Sequence, residues 1–297
     1  MLKLPGNTLT RFSLVFVTLS LAACGGGGSS STTVISQENT GGGTPEDTSS
    51  GSDDFVGKEV QDHFVGADAI LKAGVYSVVV TYTDEREPLV GPMLLSATGN
   101  FTFPFGDRVT SGTLIYDGLS DSEGSYIEGP VVEYELFDEW VRTPESADKK
   151  ATIVGVVPPD QNVSALLDTG ALVEEIKITR DNSASNQSLR FDQIAGTHEA
   201  SAGSDPQIMI DVDGGINGVD RGCILEGQVT IPVAEVNIYE LSYEASGCTD
   251  LPEATGEERD GDYLGIGTFT PAGSEGEGSI EFAASNGKIA FYFAGTR

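Results

Sequence analysis

From Gly74 to the C-terminus the chain runs as short apolar stretches of strand length, broken by clusters of Gly, Asn, Asp, Ser and Pro. The first set of predicted strands is Gly74 to Asp84, Leu89 to Ala97, Asn100 to Phe105, Thr113 to Tyr116, Val131 to Trp140, Ala151 to Val157, Ala171 to Thr179 and Leu189 to Ala195. The second is Gly196 to Ala202, Gln207 to Val212, a short strand near Ile216, Ile224 to Ile231, Val236 to Ser246, Tyr263 to Phe269, Ser279 to Ala284 and Lys288 to Ala294. Sequential strands joined by short turns suit antiparallel pairing, because parallel neighbours need helix-length crossovers. Ahead of them, Val60, Phe64, Ala67 and Leu71 recur at helical spacing, with Asp54 placed as an N-cap and Gly74 beyond the end. That predicts one short amphipathic helix over 55–73.

The pattern repeats. Leu94 to Phe101 lines up with Met209 to Ile216 at an offset of 115, and the same offset carries Gly112 to Gly227. Further matches join Tyr134-Glu135-Leu136 to Tyr239-Glu240-Leu241, Val173-Glu174 to Ile280-Glu281, and Ile194 to Thr197 with Phe293 to Thr296. Ala73-Gly74, Ala195-Gly196 and Ala294-Gly295 punctuate the copies, placing one domain at 74–195 and a second at 196–297. About eight alternating strands per copy can close into a small barrel, and closure removes exposed edges. The expected fold is therefore all-β: a tether, a short helix, then two tandem antiparallel eight-stranded barrels. These resemble lipocalins; two β-sandwiches are the alternative. A membrane-spanning porin fits poorly, because Glu133, Glu135 and Asp138 crowd the longest predicted strand where a lipid-facing band should be apolar.

Residues 1–23 carry Lys3 and Arg11, an apolar run from Phe12 to Leu21, and then Leu21-Ala22-Ala23-Cys24. This order resembles the lipobox of bacterial lipoproteins. The resemblance implies that the leader is cut before Cys24, which becomes the lipidated N-terminus. An apolar run of about ten residues falls short of the roughly twenty that a spanning helix needs. Gly25 follows the cysteine where an inner-membrane protein of this class usually has aspartate, so the resemblance implies an outer-membrane address, on the periplasmic face or the cell surface. Residues 24–54 are nearly all Gly, Ser, Thr, Asn, Asp and Glu, which marks a disordered linker. Its reach is on the order of 30 Å.

The chain holds 46 acidic and 16 basic residues. Losing Lys3 and Arg11 leaves 14 bases against 46 acids, a formal charge of −32. Such a chain repels nucleic acid and anionic head groups, and is open to a cationic partner.

With Cys24 used for lipid, Cys223 and Cys248 form an even pair in an oxidising compartment. Each falls at the open end of one predicted hairpin, so a disulfide is expected there. It should contribute roughly 3 kcal/mol in the chain-entropy model. His63 and His198 are the histidines, and no GxSxG, HExxH or Walker-type pattern is present, so no catalytic role and no cofactor are expected. Asp211, Asp213 and Asp220 around Gly214-Gly215 form a weak cation candidate. The EF-hand order would need Gly at Ile216 and Glu at Gly222, and Asp-Gly also marks a tight turn by itself. Tyr126, Tyr134, Phe137, Trp140, Phe291 and Phe293 fit either a barrel core or a ligand cavity. Ser111-Gly112 ahead of Tyr116 is similar to a motif of acidic lipoproteins that inhibit lysozyme, but the tyrosine lies one residue too far along and no second motif accompanies it.

The sequence thus predicts a non-catalytic lipoprotein that binds a small apolar molecule or a protein through barrel loops or a barrel cavity. The alternative is an envelope spacer without a small ligand. A packed or an open interior separates them.

Overall fold

The computed structural model describes residues 59–297 except 67, 83–86, 106–107, 121–123, 137–140, 145–150, 159–161, 169–172, 201–205, 253 and 273–277. Two closed eight-stranded antiparallel barrels follow one another along the chain, so the β-sandwich alternative falls. The first is built from β1 (Gly74–Thr81), β2 (Leu89–Leu95), β3 (Asn100–Phe105), β4 (Arg108–Thr113), β5 (Ile115–Ser120), β6 (Ser125–Leu136), β7 (Val141–Pro144), β8 (Ala151–Val157), β9 (Asn162–Asp168) and β10 (Val173–Arg180). These segments make eight staves because β6 is long. β4 and β5 lie end to end along one of its edges, and β7 and β8 along the other. β10 returns to pair with β1 and closes the ring.

Alternation decides which side chains enter. Tyr76, Val78 and Val80 on β1 and Val163, Ala165 and Leu167 on β9 are buried, while the residues between them face out. Phe101, Phe103 and Phe105 stack along the inside of β3. The β2–β3 ladder is bonded only at Leu94–Thr102 and Leu95–Phe101. Continuing that register sets Pro92 opposite Pro104, and neither has an N–H to donate. The strands part there, and the Phe105 ring sits where a Cβ on Gly91 would be.

The second barrel is a plain meander of β11 (Gly196–Glu199), β12 (Gln207–Ile210), β13 (Gly215–Asp220), β14 (Cys223–Thr230), β15 (Tyr239–Ser246), β16 (Gly261–Thr270), β17 (Ser279–Ser285) and β18 (Ala290–Thr296). It closes where Glu199 pairs with Thr296. Tyr239, Leu241, Tyr243, Tyr263, Phe282, Phe291 and Phe293 fill its inside. Phe291 and Phe293 are thus core residues, and Tyr126 is half-buried in the first barrel. The Tyr134 side chain, Phe137 and Trp140 lie outside the described residues.

The 115-residue offset marks one hairpin that occurs twice. Ser96 N–H donates to Asn100 O, Gly99 N–H to Ser96 O, and Leu114 N–H to Gly99 O; Asp211, Gly214 and Val229 make the same three bonds 115 residues later. Gly99 and Gly214 both sit at φ +86, left-handed backbone that glycine adopts without a Cβ penalty. Gly74 and Gly196, which open β1 and β11, face the equivalent residues Leu95 and Ile210. The later matches are corrected. Val173 lies on β10, the eighth stave, but Ile280 on β17, the seventh; Ile194 is helical where Phe293 is strand. Tyr134 and Tyr239 are out of register, since Val131 and Tyr243 are the residues that face Gly112 and Gly227.

Three further expectations fail. The described part of 55–73 contains turns and bends, with no helix. Gly66 adopts φ +85, which an α-helix excludes, and the chain instead doubles back through Leu71 N–H to His63 O and Ala73 N–H to Phe64 O. Phe64 and Leu71 enter the first core this way. Leu189 to Ala195 is not a strand. After α1 (Asn182–Ser185), this connector holds α2 (Phe191–Ile194), which lets Leu189 and Ile194 reach the second core. The eighth stave of the first barrel is β10, because β9 supplies a strand that the sequence reading passed over. The leader and linker lie outside the described residues.

The barrels are joined by more than the connector. β7 of the first pairs with β18 of the second at Arg142–Ala290 and Val141–Phe291, so one hydrogen-bonded sheet runs through both. Leu94 packs with Ile238 and Ile266, and Val109 with Ala283 and Ala290. Full burial of Leu, Ile and Val side chains such as Leu94, Ile238, Ile266 and Val109 stabilises by about 1.5–3 kcal/mol each. Ser96 and Thr98 hydroxyls donate to Glu240 Oε1 across the interface. Asn100 Nδ2 donates to Thr98 at 2.8 Å, and Thr113 donates to Asn100 Oδ1 at 2.9 Å, so the buried carboxylate sits in a satisfied network.

Candidate functional site

Beyond these contacts the two barrels diverge and leave a cleft of about 510 Å³. Alternation on the strands determines its walls. On β16 the inward residues are Tyr263, Gly265, Gly267 and Phe269, which leaves Asp262, Leu264, Ile266 and Thr268 on the outer face toward the first barrel. Ile266 is buried against Leu94, Leu264 is half-exposed in the cleft, and Asp262 is exposed at its rim. The facing wall comes from the outer side of β3 and β4. There Thr102 and Ser111 pair through their hydroxyls at 3.1 Å and Thr113 lies beside them, with Val132 of β6 adding an apolar edge. One wall is apolar, the other carries hydroxyls, and Asp260, Asp262 and Lys288 stand at the mouth.

The rim is held by chemistry inside the second barrel. Cys223 and Cys248 form a disulfide. It ties the start of β14 to the loop that leads through α3 (Gly256–Arg259) into β16. Thr255 and Glu258 make a reciprocal capping box, with Thr255 Oγ1 accepting from Glu258 N–H at 3.2 Å and Glu258 Oε2 accepting from Thr255 N–H at 2.9 Å. The Thr255 N–H, and then the Thr255 hydroxyl, which also donates to Glu258 Oε2 at 2.9 Å, hold the Glu258 carboxyl below its ordinary range. Arg259 then turns inward and is fully buried. Its guanidinium donates to Asp220 Oδ2 at 2.9 Å, Asp220 O at 3.0 Å and Thr249 O at 2.6 Å. Asp260 Oδ1 accepts from Cys248 N–H at 2.9 Å, which fixes the rim to the disulfide.

The structure separates the cation candidates. Asp220 is spent on Arg259 and on Arg221 Nε at 2.9 Å. Asp211 Oδ1 accepts from Asp213 N–H at 2.8 Å and Gly215 N–H at 2.7 Å, which is turn chemistry. Among the described residues no group of three or more His, Cys, Asp or Glu is arranged to hold a metal. Cys24 lies outside the described residues. His63 stacks obliquely on Tyr116 at 4.8 Å. His198 is buried, with Nε2 2.8 Å from Ile194 O and Nδ1 without a partner. Burial, and then the Arg297 charge, press its pKa down despite that bond, so it is neutral, with Nε2–H donating.

The interior of the second barrel offers little room. The space among Asp220, Leu225, Tyr243, Arg259, Tyr263 and Phe291 is about 10 Å³, roughly one water. Tyr243 and Tyr263 stack at 5.0 Å, and burial drives the Tyr239 and Tyr243 hydroxyls well above their ordinary pKa. Among the described residues of the first barrel, Phe64, Tyr76, Met93 and the three β3 phenylalanines pack in one buried cluster. The cleft, Arg259 and Glu240 were all missed from sequence. Thr255-Gly256-Glu257-Glu258 was the readable signal for a helix start at the rim; nothing local announces a cleft assembled from residues more than a hundred positions apart.

No protein-family model matches the chain, and no curated protein does. A solved structure with some likeness is a "putative outer membrane protein" from Bacteroides fragilis NCTC 9343. It is 13% identical, and the match covers 76% of this chain and 97% of that one at a TM-score of 0.23. A likeness at that score carries no argument about fold or function.

Proposed function

We propose that this chain is a lipid-anchored outer-membrane protein that acts by non-catalytic binding, and that the binding surface is the cleft between its barrels. The anchor rests on Leu21-Ala22-Ala23-Cys24 and the polar linker after it. The binding reading rests on one observation. The space among the described tyrosines, Arg259 and Phe291 inside the second barrel is about 10 Å³, whereas the cleft offers about 510 Å³, within the 300–1,000 Å³ usual for ligand pockets.

The envelope-spacer reading keeps support from a different observation, the continuous sheet and the buried cluster that join the two barrels. Fractionation of cells separates the parts of this proposal. Wild-type chain should sediment with outer membranes and carry acyl groups on an N-terminal Cys24, and Cys24→Ser should not. Crosslinked cells should yield a complex that Leu264→Arg abolishes; a chain correctly anchored but never complexed would favour the spacer.

A further inference from the structure

We infer that the cleft takes a short extended peptide in which a basic and an apolar residue stand two positions apart, separated by small polar residues. This deepens the proposed binding role and rests on it. The two walls differ in a way that an extended strand matches. Asp262 and Leu264 are successive outward residues of β16, so they repeat at about 6.6 Å, the spacing of residues i and i+2 in an extended chain. A peptide face with a cation opposite Asp262 and an aliphatic group against Leu264 satisfies both at once. Its other face lies toward Ser111 and Thr113, half-buried small polar residues that leave room for small polar side chains, while Thr102 is itself buried.

Charge selects the sign of the ligand. Among the described residues Asp260 and Asp262 stand at the mouth with one cation, Lys288, whose field falls on Glu258. Arg259, which neighbours Asp260 in sequence, is buried on Asp220 and does not offset that charge. The whole chain carries 46 acids against 16 bases, which steers a cationic segment toward this surface and turns an anionic one away.

The test uses the full-length lipidated protein in a non-ionic detergent and fluorescein-labelled octapeptides read by anisotropy. The repeats are Lys-Ser-Leu-Ser, Glu-Ser-Leu-Ser and Lys-Ser-Ser-Ser. The first should bind tightest. Leu264→Arg and, from the opposite wall, Val132→Arg should each weaken it by about tenfold or more. Asp262→Asn should weaken it about threefold, the effect of one exposed charge pair. Unchanged melting curves would show that the variants still fold. Equal binding of Lys-Ser-Ser-Ser, insensitive to both cleft variants, would mean attraction by net charge alone and overturn the inference. Cleft-dependent binding of the Glu peptide would overturn its cationic character and leave the cleft as a binding surface. Failure of all three peptides, with a partner still crosslinked at position 264 in cells, would overturn the peptide class alone; failure of both would remove the binding role too.

Discussion

Arg259→Met tests whether the rim of the cleft is held from within. The guanidinium is 1% exposed and donates to Asp220 Oδ2, Asp220 O and Thr249 O, all within the second barrel. Removing it leaves the Asp220 carboxylate, 6% exposed, held by the Arg221 guanidinium. Three backbone carbonyls, of Asp220, Arg221 and Thr249, also lose a donor. Breaking a buried ion pair on one side costs about 3–5 kcal/mol, and the retained Arg221 contact at 2.9 Å keeps the expected loss near the lower end, about 3 kcal/mol. For a body of this size that is a fall of about 6–12 °C in melting temperature. Urea unfolding under oxidising conditions, followed by near-ultraviolet circular dichroism of the packed tyrosines, gives the free energy. The double variant Asp220→Asn, Arg259→Met should recover part of the loss, because the orphaned charge is gone. A loss under about 1 kcal/mol in the single variant would refute the reasoning, since it would mean that Asp220 is solvated or fully served by Arg221.

Replacing Cys223 and Cys248 together by Ser should cost about 3 kcal/mol, and reduction of the wild type should cost the same; unchanged urea midpoints would show that the bridge constrains nothing. His198 is buried neutral with a lowered pKa, so the unfolded chain takes up its proton first. Its contribution is present above the unfolded value of about 6.5 and is lost as pH falls below it. His198→Gln should flatten the fall in stability between about pH 7 and pH 5; parallel wild-type and variant profiles would contradict this. Residues 188–297 alone, which keep Leu189 and Ile194 in the second core, should form a β-rich domain, less stable than in the full chain because Ile238, Ile266 and the β18 edge lose their cover from the first barrel. An unfolded circular dichroism spectrum would show that the barrels fold only as a pair.

Much of the architecture is legible in the sequence because a strand writes its own alternation. The hairpin at 96–99 and 211–214 was found by an offset alone, since Gly99 and Gly214 serve the same left-handed turn. Where the reading failed, a local pattern was served by another structure. Asn162 to Asp168 hid as a strand because its outward residues include Leu166, 50% exposed, which blurs the contrast between faces. Leu189 and Ile194 look like strand residues because both are buried, yet a turn of helix delivers them. Phe64 and Leu71 keep helical spacing while Gly66 turns the chain between them. The cleft was beyond reach, because Ser111 and Leu264 meet only through the way two closed barrels lean on one another.

The most direct measurement is site-specific photocrosslinking in living cells, with a diazirine side chain placed at Leu264 in the cleft or at Val154, which is 45% exposed on the outer wall of the first barrel. The account predicts a discrete adduct from position 264 and none from 154. Equal labelling at both positions, or none at either, would contradict a binding surface between the barrels.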